Sequence, residues 1–273
     1  LWAKLSVSYG VFGETGETAK AIYKGPEIAL GCDLNLSEDF LAGLILNFSK
    51  KNFDIPGRSS NSDIDSAGLS IFAGKRFNFG SGAIRLLLGG TLGFHDIDSE
   101  RQIVIGNQWQ TIKADYKAKS YIASFDASYI HPLSWGGEIS PFVSFGWISL
   151  DIDGFAERGG IAALTSPSDN KDNAYSHAGL RFIKPTGSRV TMEAEIGWKH
   201  LFGNLREERN MTFRQGGHPF AINGVLPNRD EFTAGIGARV KLGEKSSVIL
   251  NYDGQFGSRG RNHSGSAVFQ VNF

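Results

Sequence analysis

The chain has 273 residues, 41% of them hydrophobic, 12% aromatic and 21% charged, and its 28 Lys and Arg side chains balance 28 Asp and Glu. This balance argues against a nucleic-acid-binding protein, which shows a basic excess. The single Cys32 excludes an intramolecular disulfide and a multi-cysteine metal site, and the best apolar stretch, residues 84–94, is too short for a membrane helix of about 18 to 20 apolar residues.

Apolar residues alternate with polar or small residues along nearly every apolar stretch of the chain. This two-residue period predicts strands, because successive side chains of a strand point to opposite faces. We predict about twelve strands, which lie in chain order at residues 5–9, 28–34, 44–48, 67–73, 84–94, 121–129, 143–147, 179–182, 190–198, 232–242, 248–256 and 266–273. The predicted fold class is all-β, and an even strand number of this size is typical of bacterial outer-membrane barrels.

The predicted connections alternate in length. Short joins rich in Gly, Ser or Asn lie at residues 37–39, 78–82, 134–137, 186–188 and 243–245. Long polar joins lie at residues 11–22, 51–62, 96–113, 155–172 and 203–228. A meander with short turns on one rim and long loops on the other predicts an up-and-down, antiparallel transmembrane barrel, whose short turns and two chain ends lie on the periplasmic rim.

A soluble β-sandwich is the alternative, because its strands also alternate between a core face and a solvent face. The number of successive strands and the one-sided loop lengths favour the membrane barrel. Aromatic residues near the strand ends favour it as well, because they suit the girdles at the two membrane interfaces: Tyr9, Phe48, Tyr129, Trp147 and Trp198.

Charged residues avoid the apolar face of the predicted strands. A Lys or Arg at mid-height on a lipid face would cost about 2 to 4 kcal/mol, and the sequence places none there. Glu193 and Glu195 are expected to pair with Lys199, Arg181 or Arg239 and to hold the barrel shape. Twelve charged residues index to the opposite face, which we predict to be a hydrated lumen: Lys4, Glu27, Asp33, Arg85, Asp126, Arg181, Glu193, Glu195, Lys199, Arg239, Lys241 and Asp253.

Six short motifs in fixed order point to a known family. They are LWAKL at 1–5, PFV at 141–143 followed by DGFAERGGIAAL at 153–164, SHAGLR at 176–181, WKH at 198–200, Phe213 with FAING at 220–224, and YDG at 252–254 with the final Phe273. On these motifs the sequence resembles the C-terminal translocator domain of a type Va autotransporter. The resemblance covers nearly the whole chain, so we expect a single translocator domain over residues 1–273, although Lys4 stands where Arg is common in the family.

The resemblance implies secretion across the outer membrane of a Gram-negative bacterium. It implies a passenger domain and a pore helix encoded upstream. We expect some of the lumenal charges to touch that helix, and, because no charged leader followed by an apolar stretch opens the sequence, we expect any targeting peptide to lie further upstream. The expected partners are outer-membrane lipid, the passenger, the pore helix, the barrel-assembly machinery and periplasmic chaperones, with no nucleic acid, no cofactor and a monomeric state. Phe269 and Phe273, on one face of the last strand, resemble the signal read by the assembly machinery, although they also suit a girdle.

A barrel enzyme and a diffusion porin are the competing functions. His177 follows Ser176, but neighbours in a strand point to opposite faces, so they form no catalytic dyad. No His or carboxylate cluster shows metal-ligand spacing. Some autotransporters cleave their passenger inside the barrel with help from a lumenal carboxylate, and for this step the candidates stay open: Asp33, Asp126, Glu193, Glu195 and Asp253. A porin would share the fold, and only a plugged lumen or a long passenger would distinguish the two.

Overall fold

The computed structural model describes every residue of the chain except Glu17, Glu207 and Phe273. Its strands are β1 (Trp2–Phe12), β2 (Ala21–Asn35), β3 (Phe40–Ile55), β4 (Ser60–Phe79), β5 (Gly82–Ile105), β6 (Gln108–Pro132), β7 (Glu138–Ile152), β8 (Phe155–Ala156), β9 (Leu164–Ser166), β10 (Asp169–Thr186), β11 (Val190–Phe202), β12 (Glu208–Phe213), β13 (Phe220–Asn223), β14 (Asp230–Lys241), β15 (Ser246–Gly257) and β16 (Gly260–Val271). A single 3-10 turn, Pro56–Arg58, joins β3 to β4. Among the described residues, no helix has the length and apolar character needed to cross a membrane.

Twelve of these strands form one closed antiparallel barrel, in the order β1-β16-β15-β14-β11-β10-β7-β6-β5-β4-β3-β2. Each barrel strand pairs with the preceding and following barrel strand along the chain, and β1 closes the sheet against β16. The predicted all-β, up-and-down barrel of twelve strands is therefore confirmed. Because the number of strands is even, both ends of the barrel lie on the rim that carries the short turns.

Large apolar side chains lie on the outer face of the barrel. Leu5, Ile71, Leu88, Ile236 and Leu250 are each more than half exposed, at 53%, 60%, 61%, 56% and 55%. A soluble domain would bury such side chains, whereas lipid removes them from water in a membrane barrel. The outer face of the twelve strands therefore forms an apolar belt.

The two hairpins β3–β4 and β5–β6 extend far beyond this belt. Residues 51–62 and 96–113, predicted as loops, are mostly strand, and the two connections are only residues 56–59 between β3 and β4 and residues 106–107 between β5 and β6. The prediction of two long loops was wrong, because these segments alternate with polar residues outward and apolar residues inward. Gly106 has φ +60°, which fits the first central position of a two-residue hairpin turn.

The two longest connections fold over the outer mouth of the barrel. Strands β8 and β9 from the β7–β10 connection join β12 and β13 from the β11–β14 connection in a separate four-stranded sheet. The cavity beneath this sheet is about 590 Å³ and is lined by Thr18, Arg58, Ile103, Leu164 and Ile222, which come from different sides of the barrel. We call this four-stranded sheet the outer cap.

Candidate functional site

The strand register places all twelve charged residues predicted for the lumen on one face of the sheet. Directly opposite residues of neighbouring strands point to the same side, and Glu195, for example, faces Arg181 on one side and Gly235 on the other. Arg181 on β10 also reaches Asp126 on β6 across the intervening β7. Side chains bond across an intervening strand only where they converge, so this face is the concave interior of the barrel.

The densest interior group is centred on Arg181. Its Nε donates to Glu195 Oε2 at 2.7 Å and its Nη2 to Asp126 Oδ2 at 3.3 Å, while the guanidinium lies 3.9 Å from the ring centre of Phe142. Ser144 Oγ donates a further hydrogen bond of 2.7 Å to Asp126 Oδ2. The group spans four neighbouring strands, β6, β7, β10 and β11, and both carboxylates are compensated by one cation.

A second group connects β11, β14 and β16. Arg239 Nη2 lies 3.5 Å from Glu193 Oε1, and Arg239 Nη1 donates to Gln270 Oε1 at 3.0 Å across the intervening β15. The predicted pairs Glu195–Arg181 and Glu193–Arg239 are thus confirmed. Pairing of Lys199 with Glu193 or Glu195 is wrong, because Lys199 lies higher on β11 and contacts Glu231 at 3.7 Å.

The other predicted lumenal residues are not brought into these groups. Asp33 accepts a hydrogen bond of 3.0 Å from Trp2 Nε1, although Trp2 was predicted only as part of the first motif. Among the described residues, the remaining five side chains make no ion pair within 4.0 Å: Lys4, Glu27, Arg85, Lys241 and Asp253. Their roles as contacts of a pore helix stay predictions.

Several interior hydrogen bonds between strands were not predicted, some to an adjacent strand and one across an intervening strand. His177 Nε2 lies 2.9 Å from Thr233 Oγ1, with its ring edge against Phe142 at 4.9 Å between ring centres. His95 lies between two hydroxyl groups, with Nδ1 2.8 Å from Ser66 Oγ and Nε2 2.9 Å from Ser120 Oγ. Nothing in the local sequence identifies the partners of these two histidines.

The interior has two unlike walls. One wall, on β6, β10, β11 and β14, carries Asp126, Arg181, Glu193, Glu195 and Arg239, and we call these five residues the charged wall. The wall formed by β3 to β6 is lined at mid-height by uncharged side chains, and we call them the neutral wall: Ile45, Ser70, Phe72, Leu87, Thr91 and Ser124. At mid-height one side of the lumen therefore carries ion pairs, and the other side carries hydroxyl and apolar side chains.

The outer cap is fixed to the barrel wall by a nearly buried ion pair. Arg101 on β5 binds Glu157 through two hydrogen bonds, from Nε at 2.9 Å and from Nη2 at 2.6 Å, and the Glu157 side chain is only 10% exposed. Glu157 also accepts a hydrogen bond of 2.7 Å from the Leu164 backbone. Glu157 belongs to the second predicted motif, but the sequence assigned it no partner.

Aromatic residues predicted for the membrane interfaces lie on the outer face. Tyr9, Phe48, Trp147 and Trp198 are 42%, 51%, 45% and 53% exposed, and Tyr129 contacts Phe79 edge-on on the same face. Phe269 is 48% exposed on the outer face near the short-turn rim, whereas Phe273 lies outside the described residues. Within the described chain, no group of three or more His, Cys, Asp and Glu side chains is arranged to hold a metal ion.

Comparison with known proteins gives a consistent set of similarities. A family model, the autotransporter beta-domain, matches residues 1–253. The chain is 26% identical to an extracellular serine protease of Serratia marcescens, over 98% of this chain and 25% of that protein. It is 22% identical to the esterase EstA of Pseudomonas aeruginosa, over 96% of this chain and 41% of that protein. The chain thus spans less than half the length of these relatives.

Solved structures share the fold. The translocator domain of the autotransporter NalP from Neisseria meningitidis has a TM-score of 0.77 at 18% identity, with 100% of this chain and 87% of that chain covered. The beta domain of the Bordetella autotransporter BrkA has a TM-score of 0.63 at 17% identity, with coverage of 100% and 99%. At these identities the likeness shows the fold alone.

Proposed function

Because the chain belongs to the autotransporter beta-domain family, we propose that it is a type V secretion translocator, which inserts in the outer membrane and mediates the export of a passenger encoded upstream of residue 1. The single domain, residues 1–273, forms the membrane part of a longer protein on this proposal. The passenger is displayed at the cell surface or released from it.

The observation that supports this function best is the pairing of an apolar outer belt with a charged, hydrogen-bonded interior in one closed sheet. Such an interior is hydrated, and it offers a passing unfolded chain little continuous apolar surface to adhere to. The ion pairs of the charged wall connect adjacent strands and, between Arg181 and Asp126, strands on either side of β7, and they therefore support the barrel shape.

Partners follow from the same proposal. The barrel contacts outer-membrane lipid through its apolar belt and works as a monomer. The passenger and then the pore helix occupy the lumen. Periplasmic chaperones deliver the chain to the barrel-assembly machinery. Phe269 is exposed near the short-turn rim, where an assembly factor in the periplasm would reach it. Deletion of Phe273 should reduce insertion in cells more than refolding in detergent, whereas an equal loss would indicate a packing role alone.

Catalysis belongs, on this proposal, to the passenger and not to the barrel. The names protease and esterase describe relatives of which this chain covers 25% and 41%. Of the five carboxylates considered for cleavage inside the barrel, Asp126, Glu193 and Glu195 are engaged by arginines and Asp33 by Trp2. Among the described residues this leaves Asp253 as the carboxylate of the five without such a partner, and we assign no catalytic residue.

Surface display tests the proposed function. An epitope-tagged reporter joined upstream of Leu1 through an extended linker is expected to become accessible to external antibody and protease in a Gram-negative host. The matched control lacks residues 260–273 and therefore cannot close the barrel. A reporter that stays in the periplasm while the intact barrel migrates as a folded, heat-modifiable species would contradict the proposal.

Contact between the charged wall and a pore helix has its own test. Changing Glu193→Lys and Glu195→Lys together places two cations beside Arg239 and Arg181, and is expected to lower both retention of the helix and passenger display. Because the change also breaks two ion pairs, thermal unfolding of the empty barrel is measured in parallel. Unchanged display together with unchanged unfolding would reject the contact.

A further inference from the structure

The neutral wall encloses a hollow of about 460 Å³ that opens to the lumen. Its floor is made of small residues such as Gly89 and of hydroxyl side chains, with Ser70 and Thr91 bonded to each other at 2.8 Å. Apolar groups of Ile45, Phe72 and Leu87 lie beside these hydroxyls. The hollow therefore offers both hydrogen-bonding groups, which match a polypeptide backbone, and short apolar surfaces, which match its side chains.

Two aromatic rings keep this side of the lumen open because they lie flat against the sheet. The Trp2 ring covers Gly31 on the neighbouring strand, and the Phe72 ring covers Gly43, in each case occupying the space that a β-carbon would fill. A ring that lies on a glycine stays at the wall and does not project toward the axis. The glycines thus widen the passage on this side.

The charged wall is, by contrast, already occupied by its own contacts. Arg181 compensates Asp126 and Glu195, and Arg239 compensates Glu193. A chain that displaced these contacts would leave partly buried charges unpaired, which costs more than the contacts themselves contribute. Among the described residues that line the hollow of the neutral wall, Asp33 is the only charged one, and Trp2 holds it by a hydrogen bond.

The point of attachment of an upstream polypeptide also lies on this side. Trp2 lines the hollow, and Leu1 precedes it on the rim of the short turns, where its backbone nitrogen donates to the Val271 carbonyl at 3.0 Å. A polypeptide joined to Leu1 therefore starts one residue from the hollow, at a high effective concentration.

We propose that the polypeptide in transit runs along the neutral wall, from Trp2 past Ile45 and Leu87 to Thr91 and Ser124, while the ion pairs of the charged wall brace the barrel and do not guide the moving chain. This inference rests on the proposed function and adds the path of the exported chain. The occupant is an extended segment of the same protein upstream of residue 1, held by hydroxyl groups and short apolar contacts and not by charge.

Disulfide trapping tests the path directly. In a Cys32→Ser background, a single cysteine in a linker upstream of Leu1 is stalled in the barrel by a folded reporter, and a second cysteine replaces either Ser124 on the neutral wall or Asn251 on the opposite side. We expect a disulfide with Ser124→Cys and little with Asn251→Cys. Equal trapping at both positions, or preference for Asn251→Cys, would overturn the proposed path.

A matched pair of arginine substitutions tests the same path without crosslinking. Thr91→Arg places a cation on the neutral wall, and Asn251→Arg places the same side chain at mid-height on the other side. We expect surface arrival of the reporter to slow about ten-fold for Thr91→Arg, which corresponds to about 1.4 kcal/mol in the barrier, and to change little for Asn251→Arg.

Both variants are compared only if they reach the outer membrane as folded barrels. Equal slowing by the two arginines would contradict the neutral wall as the path, and so would slowing by Asn251→Arg alone. Neither result touches the proposed function, because that function fails only if the unmodified barrel exports no reporter.

Discussion

The outer face of the barrel is apolar in the belt and charged in the hairpins above it. In the belt, Ile71 and Leu88 face outward and are 60% and 61% exposed. Further along the same strands, Asp65 pairs with Lys50 and Asp96 pairs with Lys117 on the outer face, whereas Ile112 is 1% exposed on the inner face. The same strands run without interruption through both regions. Their outward side chains are apolar where lipid surrounds the barrel and charged where water does.

This contrast shows what alternation indicates. A period of two identifies a strand in either region, but the sense of the alternation indicates whether lipid or water lies outside. A change in the belt or the lumen is therefore expected to have a larger effect than a matched change in the hairpins or on an exposed surface.

The largest effect is expected for a charge in the belt. Ile71→Lys should lower the free energy of unfolding by about 2 to 4 kcal/mol, because the ammonium group would lie in hydrocarbon. Val104→Lys, also on the outer face but beyond the belt, should change it by less than about 0.5 kcal/mol. Urea unfolding in lipid vesicles, followed by tryptophan fluorescence, measures both. Equal costs would show that position 104 also meets lipid or that position 71 does not.

Removing the central cation of the lumen should rank second. Arg181→Met leaves Asp126 and Glu195 without their shared partner and is expected to cost about 2 kcal/mol, a value reduced from that of a dry site because the lumen is hydrated. The matched control is Arg158→Met, which removes an arginine bonded to the exposed Asp115 and should have little effect. The same unfolding assay applies, and a control as costly as Arg181→Met would contradict the distinction.

Loosening the outer cap should have a smaller and local effect. Glu157→Gln removes the charge that binds Arg101 and is expected to weaken closure of the β7–β10 connection by about 1 to 2 kcal/mol. Faster hydrogen exchange at the backbone of residues 155–166, with unchanged exchange in β14 and β15, is the measurement. Glu100→Gln, in an exposed pair with Lys113, should leave exchange unaltered. If both variants behave alike, the ion pair of Glu157 does not hold the cap.

The smallest effect concerns pH in the hairpins. A hydrogen bond with Asp115 raises the pKa of Asp98, and the hydrogen bond from Arg158 lowers the pKa of Asp115. The folded state therefore holds the Asp98 proton more tightly than the unfolded chain does, so the Asp98 contribution opposes folding above the raised pKa and favours folding as pH falls through it. The contribution of Asp115 has the opposite sign and is lost as pH falls through its lowered pKa.

Asp98→Asn should accordingly stabilise the protein slightly at neutral pH, with the gain shrinking in acid and at high salt. Asp96→Asn, which breaks the pair with Lys117, is the matched control and should give no such gain. Unfolding midpoints across pH 3 to 7, with about 0.1 M and then about 1 M salt, measure the difference. A gain that persists in acid would rule out the carboxyl pair as its source.

Most of the architecture was predictable from the sequence, because the alternation of apolar and polar side chains along a barrel strand is visible without knowledge of the neighbouring strands. The twelve strands and the inward direction of Arg181, Glu193 and Glu195 follow from that period. The ends of the hairpins were not predictable in the same way. Around residues 96–113 the outward side chains are polar, and a segment with polar side chains was interpreted as a loop because a strand was expected to face lipid.

Contacts between strands far apart in the chain could be predicted only in part. Glu195 and Arg181 flank one short turn, so their pairing follows from a hairpin register that the turn fixes. Asp126 and Arg181 lie on strands separated by β7, and Arg101 meets Glu157 only because the cap folds back over the mouth. The two walls of the lumen depend on which strands stand opposite each other, which is a property of the closed sheet.

Strand β1 is joined to β16 by eleven residue pairs, from Trp2 with Gln270 to Phe12 with Gly260. The two strands are separated by almost the whole sequence, so this junction cannot form until β16 has been synthesised. At a synthesis rate of about 5 to 20 residues per second, the first strand waits on the order of 10 to 50 s for the last one. Any polypeptide joined upstream of Leu1 is therefore fully synthesised before its own exit exists.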